Sequence, residues 1–275
     1  MAWQRKQRLR AIEIITFWHG RLNTGDIVAA FGISRIQASK DIKKYISTFP
    51  ENIYYSLSDR AYLKAKSFKL HLTEGSVDEY IDHVSRMTTQ PNIPIEKLAP
   101  HHTRLKANVV SSLLDGIRNK KGLSILYASM SRPEGTERII YPHSIVDTGF
   151  RWHVRAYCEN RKDFRDFNIG RLLNSPKVVD QTPKHALASK DNLWQKMVNI
   201  KLYANPLLSD RQKLVIESEF DMERGNLVVS TRACLIHYML QRYQIDSDRI
   251  DNPPINQLLA VENPDSISPY LFGAS

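Results

Sequence analysis

The sequence predicts a multidomain α+β protein. A winged helix-turn-helix comes first, a small barrel or sandwich of short strands follows, and a small α+β domain ends the chain. Three features lead there. Leu22 to Ile46, LNTGDIVAAFGISRIQASKDIKKYI, reads as two short helices around a tight turn at Phe31-Gly32-Ile33. Short alternating stretches separated by turn residues fill the region from Gly122 to Leu173. The 275 residues, 42% of them hydrophobic, suffice for two or three small cores.

Taken in order, Arg5 to Trp18 carries Leu9, Ile12, Ile15 and Trp18 at helical spacing, and Gly20 suits the end of that helix. Asn23 or Thr24 can cap the next helix, with Asp26 in its first turn, where a negative charge complements the dipole. Ser34 caps the third helix, whose Ile36, Ile42 and Ile46 are expected to face inward. Asn52 to Leu63 favours extended structure with a turn at Ser58-Asp59-Arg60, a wing that would bring Arg60 and Lys64 toward DNA. A connecting region follows, with a short helix at Ser76 to Met87, interruptions at Pro91, Pro94 and Pro100, and a helix from Thr103 to Asn119. Strands are expected at Gly122–Ser129, Glu137–Asp147, Phe150–Glu159 and Phe164–Leu173. Their turns fall at Pro133-Glu134-Gly135, Asp147-Thr148-Gly149 and Asn160-Arg161-Lys162. In the last part, Lys213–Phe220 and Leu227–Ser230 read as strands and Thr231–Tyr243 as a helix; its Met239, Leu240 and Tyr243 read as core or as part of a dimer interface. The expected divisions are 1–66 for the winged helix, 67–120 for a helical linker, 121–190 for the strand domain and 191–275 for the C-terminal α+β domain.

Charge separates the ends. The first 70 residues hold thirteen Lys/Arg against five Asp/Glu, so they carry +8 of the total +10. A basic end on a nearly neutral body is a footprint for polyphosphate. Major-groove reading needs side chains with fixed donors and acceptors: Arg pairs bidentately with guanine and Gln with adenine. Arg35, Gln37 and Lys40 are therefore expected in the groove, with Ser34 and Ser39 beside them. Lys43, Lys44, Arg8, Arg10 and, from the wing, Arg60 are expected on phosphate. The partner is double-stranded DNA, and a palindromic operator would reward a homodimer.

Other chemistry finds little support. Cys158 and Cys234 lie far apart without partners at metal spacing, so neither a disulfide framework nor a metal site is expected. His101-His102 beside Pro100 reads as a loop. There is no Gly-rich phosphate loop, His-Glu-x-x-His or nucleophile elbow, so neither an enzyme nor a cofactor is expected. MAWQRKQRLR lacks an apolar core, and no apolar run nears the roughly 20 residues of a membrane helix, so a cytoplasmic protein is expected.

The middle segment resembles a WYL domain. The likeness runs through Leu123-Ser-Ile-Leu-Tyr127, Arg138-Ile-Ile-Tyr-Pro142-His143, Trp152-His153-Val154 and Asp163-Phe-Arg-Asp-Phe-Asn-Ile-Gly-Arg171. The signature Trp-Tyr-Leu is here Trp152-His153-Val154, so only the Trp is kept. With a winged helix before it and an α+β extension after it, the chain is similar to the repressors of bacterial anti-phage defence loci, the BrxR/CapW kind.

The resemblance implies a central SH3-like β-barrel acting as ligand sensor, a homodimer, and a nucleotide or nucleic-acid effector on a basic and polar patch. The matching positions are Tyr127, Ser129, His143, Arg155, Arg165 and Arg171. Arg suits anionic ligands because its planar fork makes two parallel hydrogen bonds to phosphate. Tyr127 could stack a base and His143 could donate to phosphate, while His143 alone also reads as a structural histidine. Separate ion pairs with Glu159, Asp163 and Asp166 are the other reading of the arginines. Trp152 is assigned to the barrel core. The implied function is repression of a phage-defence operon, relieved by the effector. The alternative is an accessory nucleic-acid-binding subunit of a DNA- or RNA-processing enzyme.

Overall fold

The computed structural model describes residues 2–85, 105–246 and 256–271. The chain divides into two compact units, Met1–Lys97 and Leu98–Ser275. The expectations for Pro91, Pro94, Pro100, His101-His102, both linker-helix ends at 86–87 and 103–104, and most of the tail beyond Asp251 lie outside the described residues.

The first unit runs α1 (Ala2–His19), β1 (Arg21–Leu22), α2 (Thr24–Phe31), α3 (Arg35–Thr48), β2 (Ile53–Ser56), β3 (Ala61–Lys64) and α4 (Val77–Ser85). Ile12 and Ile15 of α1 pack on Leu22, Ile27, Ala38, Ile42, Tyr45 and Ile53, so one core joins all three helices to the wing. The Asn23 N–H donates to Asp26 Oδ2 at 2.6 Å, tying down the start of α2. Gly32 ends that helix at φ 61, the left-handed conformation that costs glycine least. The wing is an antiparallel sheet in the order β1-β3-β2. Helix α4, from the stretch read as linker, lays Tyr80 and Ile81 against Ile14 and Trp18.

A buried carboxylate holds this unit's returning loop. Glu13 lies wholly inside the fold. Its Oε1 accepts the backbone N–H groups of His71, Leu72 and Thr73 at 2.8, 2.6 and 3.1 Å. Its Oε2 accepts the Tyr45 hydroxyl at 2.9 Å. Burial pushes the Tyr45 hydroxyl's pKa up, and the neighbouring Glu13 charge adds to the rise.

The second unit begins with α5 (Ala107–Arg118), then β4 (Lys121–Ser129), β5 (Arg132–Asp147), β6 (Trp152–Cys158), β7 (Asp163–Asn168) and β8 (Lys177–Gln181). These strands form one antiparallel sheet in the order β7-β6-β5-β4-β8. Val109 and Leu113 of α5 pack on Leu123, Ile125, Ile140, Val154 and Phe167, with Trp152 at the margin of this core as assigned. Closure into a barrel is not found. β7 and β8 remain the two edges, and the return toward β4 is limited to the bridge between Tyr127 and Leu172 and the Leu173 N–H on the Leu126 carbonyl at 2.9 Å. After a short turn of helix α6 (Asn192–Gln195) come β9 (Met197–Ala204), α7 (Asp210–Glu219), β10 (Leu227–Arg232), α8 (Ile236–Arg242) and β11 (Leu259–Val261). Their sheet has the order β10-β9-β11, and Leu202, Ile216, Ile236 and Leu240 fill its core.

Several local expectations are corrected. Lys213–Phe220, rich in β-formers, lies mostly within the helix α7. Ser209 caps it, and Gln212 reaches back to the Ser209 N–H at 2.9 Å, a capping box that decides the segment against its propensities. The β4–β5 turn lies at Met130-Ser131, and Pro133-Glu134-Gly135 continues β5. Ile36 does not face inward but stands 71% exposed. Among the described residues no helix is long and apolar enough to cross a membrane.

Two outcomes test these cores. Glu13→Leu leaves a set of backbone donors unmet and should cost about 2–4 kcal/mol, read by urea denaturation; a loss under about 1 kcal/mol would mean that another contact holds the 71–73 turn. A Cβ on Gly116 of α5 would sit 2.8 Å from Leu123 Cδ1, which is fully buried. Gly116→Val should therefore destabilise the second unit by about 1–3 kcal/mol, seen as a lowered Tm of the transition reported by the Trp152 and Trp194 fluorescence.

Candidate nucleic-acid interface and ligand pocket

In the first unit the side chains of α3 sort by charge. Ser34 Oγ accepts the Gln37 N–H at 3.2 Å and starts the helix. Ala38, Asp41, Ile42 and Tyr45 turn inward. Arg35, Ile36, Lys40, Lys43 and Lys44 turn outward, and Ser39 is half-buried between them. Asp41 is buried and draws its own compensation: Arg8 Nε donates to it at 2.6 Å and Gln37 Nε2 at 3.0 Å. Arg10 donates to Glu79 through Nε at 2.8 Å. Three residues expected on DNA are thus engaged inside the unit, because a carboxylate taken from water must be paired. Arg35, Lys40, Lys43 and Lys44 make no ion pair among the described residues, so the outward face of α3 keeps its positive charge.

The wing turn spans Leu57 to Arg60, and Arg60 is exposed at φ 49. Asp59 accepts Ser56 Oγ at 2.5 Å and Ser58 Oγ at 3.1 Å, which holds its carboxyl below the ordinary range. Lys64 turns back instead of reaching outward. Its Nζ donates to the Phe17 carbonyl at 3.2 Å and lies 4.3 Å from the Phe17 ring centre.

In the second unit the six residues expected at one patch are scattered. The register pairs Arg155 with Asp166 but Arg165 with Ala156, so the two arginines occupy opposite faces of the sheet. Arg155 is 4% exposed. It grips Asp191 with Nε at 2.7 Å and Nη2 at 3.0 Å, and Asp166 with Nη1 at 3.3 Å. His143 joins through Nε2, 3.2 Å from Asp191, with Nδ1 2.9 Å from Ser144 Oγ. These groups are thus engaged with one another, and of them Asp166 also borders a cavity. Burial would raise the Asp191 carboxyl's pKa, but the bonds from His143 and Arg155 overcome it and hold it well below the usual range. At Asp166 burial prevails over Arg155 and pushes the carboxyl up. Ser129 serves the hairpin turn, accepting the Arg132 N–H at 3.1 Å. The Tyr127 ring meets Phe167 edge-on at 5.2 Å and has Arg138 5.7 Å away over its face, so it offers no platform for a base.

Only the Tyr127 hydroxyl end and Arg171 reach a shared cavity, about 610 Å³, between the sheet and α8. Arg151, His153 and Asn168 line it from the sheet, and His237, Tyr238 and Gln241 from α8. The sequence reading missed these six. His153 and Arg151 flank the signature Trp and so had a local signal, but the α8 residues are brought there by tertiary packing alone. His153 is 6% exposed, and its Nδ1 has no hydrogen-bond partner among the described residues. Burial lowers its pKa to about 4, and the charges of Arg151 and Arg171 add to the drop. The Arg151 and Arg171 guanidinium groups favour an anion in this cavity, and the Asp166 carboxyl at its wall opposes one. Among the described residues no group of three His, Cys, Asp or Glu is placed to hold a metal.

Comparison with known proteins matches each part. Residues 4–86 fit the BrxR transcriptional regulator winged helix-turn-helix domain, 108–175 the WYL domain, and 197–267 the BrxR transcriptional regulator C-terminal dimerization domain. The chain is 35% identical to a DNA-binding transcriptional repressor CapW of Pseudomonas aeruginosa, over 96% of this chain and 91% of that one. It is 31% identical to the CapW repressor of Escherichia coli strain KTE188, with the same coverage. Proteasome accessory factor B/C of Arthrobacter aurescens shares 16% identity at a TM-score of 0.29; the match covers 95% of this chain and 46% of that one.

Two outcomes follow. Removing Arg155 strands a buried carboxylate pair, so Arg155→Met should cost about 3–5 kcal/mol in denaturant unfolding, while Arg155→Met with Asp191→Asn should recover part of it. For His153 the folded pKa of about 4 lies below the ordinary 6.5. Its neutral form is favoured by folding, so that stability is complete above pH 6.5 and is lost as pH falls toward about 4. Thermal melts across that window should show the fall in the native protein and a smaller one in His153→Asn.

Proposed function

The chain belongs to the CapW/BrxR family of WYL-containing transcriptional regulators, and on that premise we propose that it is a homodimeric, sequence-specific DNA-binding repressor of a phage-defence operon. The observation that carries the DNA reading is the outward face of α3, where Arg35, Lys40, Lys43 and Lys44 stand uncompensated. Arg35, Ser39 and Lys40 read base edges, and Lys43, Lys44 and Arg60 hold phosphate. The C-terminal domain supplies the two-fold axis that matches paired half-sites, roughly 34 Å or a multiple of it apart.

The effector is a nucleotide or nucleic-acid anion in the cavity between the sheet and α8, with Arg151, Arg171 and His153 as its donors. The sensor set thus keeps Tyr127 and Arg171 and replaces the buried Arg155 and His143. Release follows from linkage: an anion that binds the free protein better than the DNA-bound one shifts the equilibrium off the operator. The cavity touches both the sheet and α8, so its filling can bias the packing that orients the dimerisation domain.

The test is binding to the DNA upstream of the protein's own coding sequence, compared with random duplex. Arg35→Ala should cost roughly 1–3 kcal/mol at one operator position and relax specificity there. Lys44→Ala should weaken all sequences alike and flatten the salt dependence. A short oligonucleotide should release the native protein from the operator and fail to release Arg171→Ala. Tighter binding to forked or single-stranded DNA than to any duplex would instead favour an accessory role.

A further inference from the structure

We propose that Ile36 is a specificity-determining residue that reads the C5-methyl group of a thymine in the major groove. The inference rests on the DNA-binding reading of α3 and goes beyond it in naming an apolar base contact. Ile36 is the second residue of the helix and is 71% exposed. The first turn leaves little else outside: Gln37 is drawn to Asp41 at 3.0 Å and Ala38 is buried. Arg35 and Ile36 are therefore the leading outward side chains at the end of a recognition helix that meets base edges.

The residues one and two turns along support the placement. Lys40 and Lys43 lie four and seven positions on, so they share the face of Ile36. Both are exposed. Lysines that continue the face of an isoleucine do not favour an apolar protein partner, whereas they suit a polyanionic duplex. Within the groove an aliphatic group finds one apolar feature, the thymine methyl. A β-branched side chain in a helix is nearly fixed about χ1, so ordering it on the base costs little.

Deoxyuridine scanning of the bound operator isolates this contact, since thymine-to-uracil replacement deletes one methyl and leaves every hydrogen-bonding group in place. One thymine per half-site should weaken the native protein about fourfold when replaced, the worth of one buried methyl group. The same replacement should leave Ile36→Ala unchanged, and Ile36→Val should keep part of the effect. Folding of both variants is checked by thermal melting, which an exposed position should leave unmoved. The proposal falls if no thymine shows methyl dependence, or if the dependence persists undiminished in Ile36→Ala. Failure to prefer any duplex over random DNA would overturn the DNA-binding reading itself, and this proposal with it.

Discussion

A charge withdrawn from water must be met inside the protein, and that constraint orders both units. In the second unit Arg155 and Asp191 form a bidentate pair, and Asp166 and His143 complete it. Asp191 also caps α6 by accepting the Trp194 N–H at 3.1 Å, and Tyr238 of α8 donates to Asp166 at 3.4 Å. The sheet is thereby clamped to the segment leading into the C-terminal domain and to one of its helices. Buried pairs of this kind are dear to break and add little net stability over apolar packing. The pair is linked to α8 through Tyr238 on Asp166, and both of those residues line the cavity. In the first unit Glu13 fixes the 71–73 turn against α1.

The same constraint sorts the basic residues by role. Arg8, Arg10 and Arg155 are committed to carboxylates and belong to the scaffold. Arg35, Lys40, Lys43 and Lys44 have no such partner among the described residues and keep an uncompensated positive charge. Arg151 and Arg171 occupy a third position, at a cavity beside a histidine that burial keeps neutral. The Asp166 carboxyl lines the same cavity, so both signs of charge meet there.

The helices of the winged domain could be read directly from local signals. Ser34, Gly32 and the apolar spacing of α1 act within a few residues, so the string of letters carries them. Strands β4 to β7 were legible for the same reason, in their alternation and in the turns after β5 and β6, while the turn before β5 was misplaced onto Pro133-Glu134-Gly135. Less was visible where local preference and context disagree. Lys213–Phe220 has the composition of a strand, yet a capping box starts a helix there. β8 and β11 are short and went unread, whereas β9 carried a local signal that was missed, with Val198, Ile200 and Leu202 alternating with Asn199 and Lys201.

Charge, the outline of the DNA-binding domain and the family likeness came from the residue string alone, since composition and short-range pattern suffice for them. Which cations are free was decided by the tertiary structure. Arg8 meets Asp41 across 33 positions and Arg155 meets Asp191 across 36. No local rule distinguishes such an arginine from one left in solvent. Ile36 looked like core by its apolar character alone, although a separation of six residues already sets it on a different side of the helix from Ile42, and it stands outside. Pairing and burial are properties of neighbours in space, and chain folding alone assigns those neighbours.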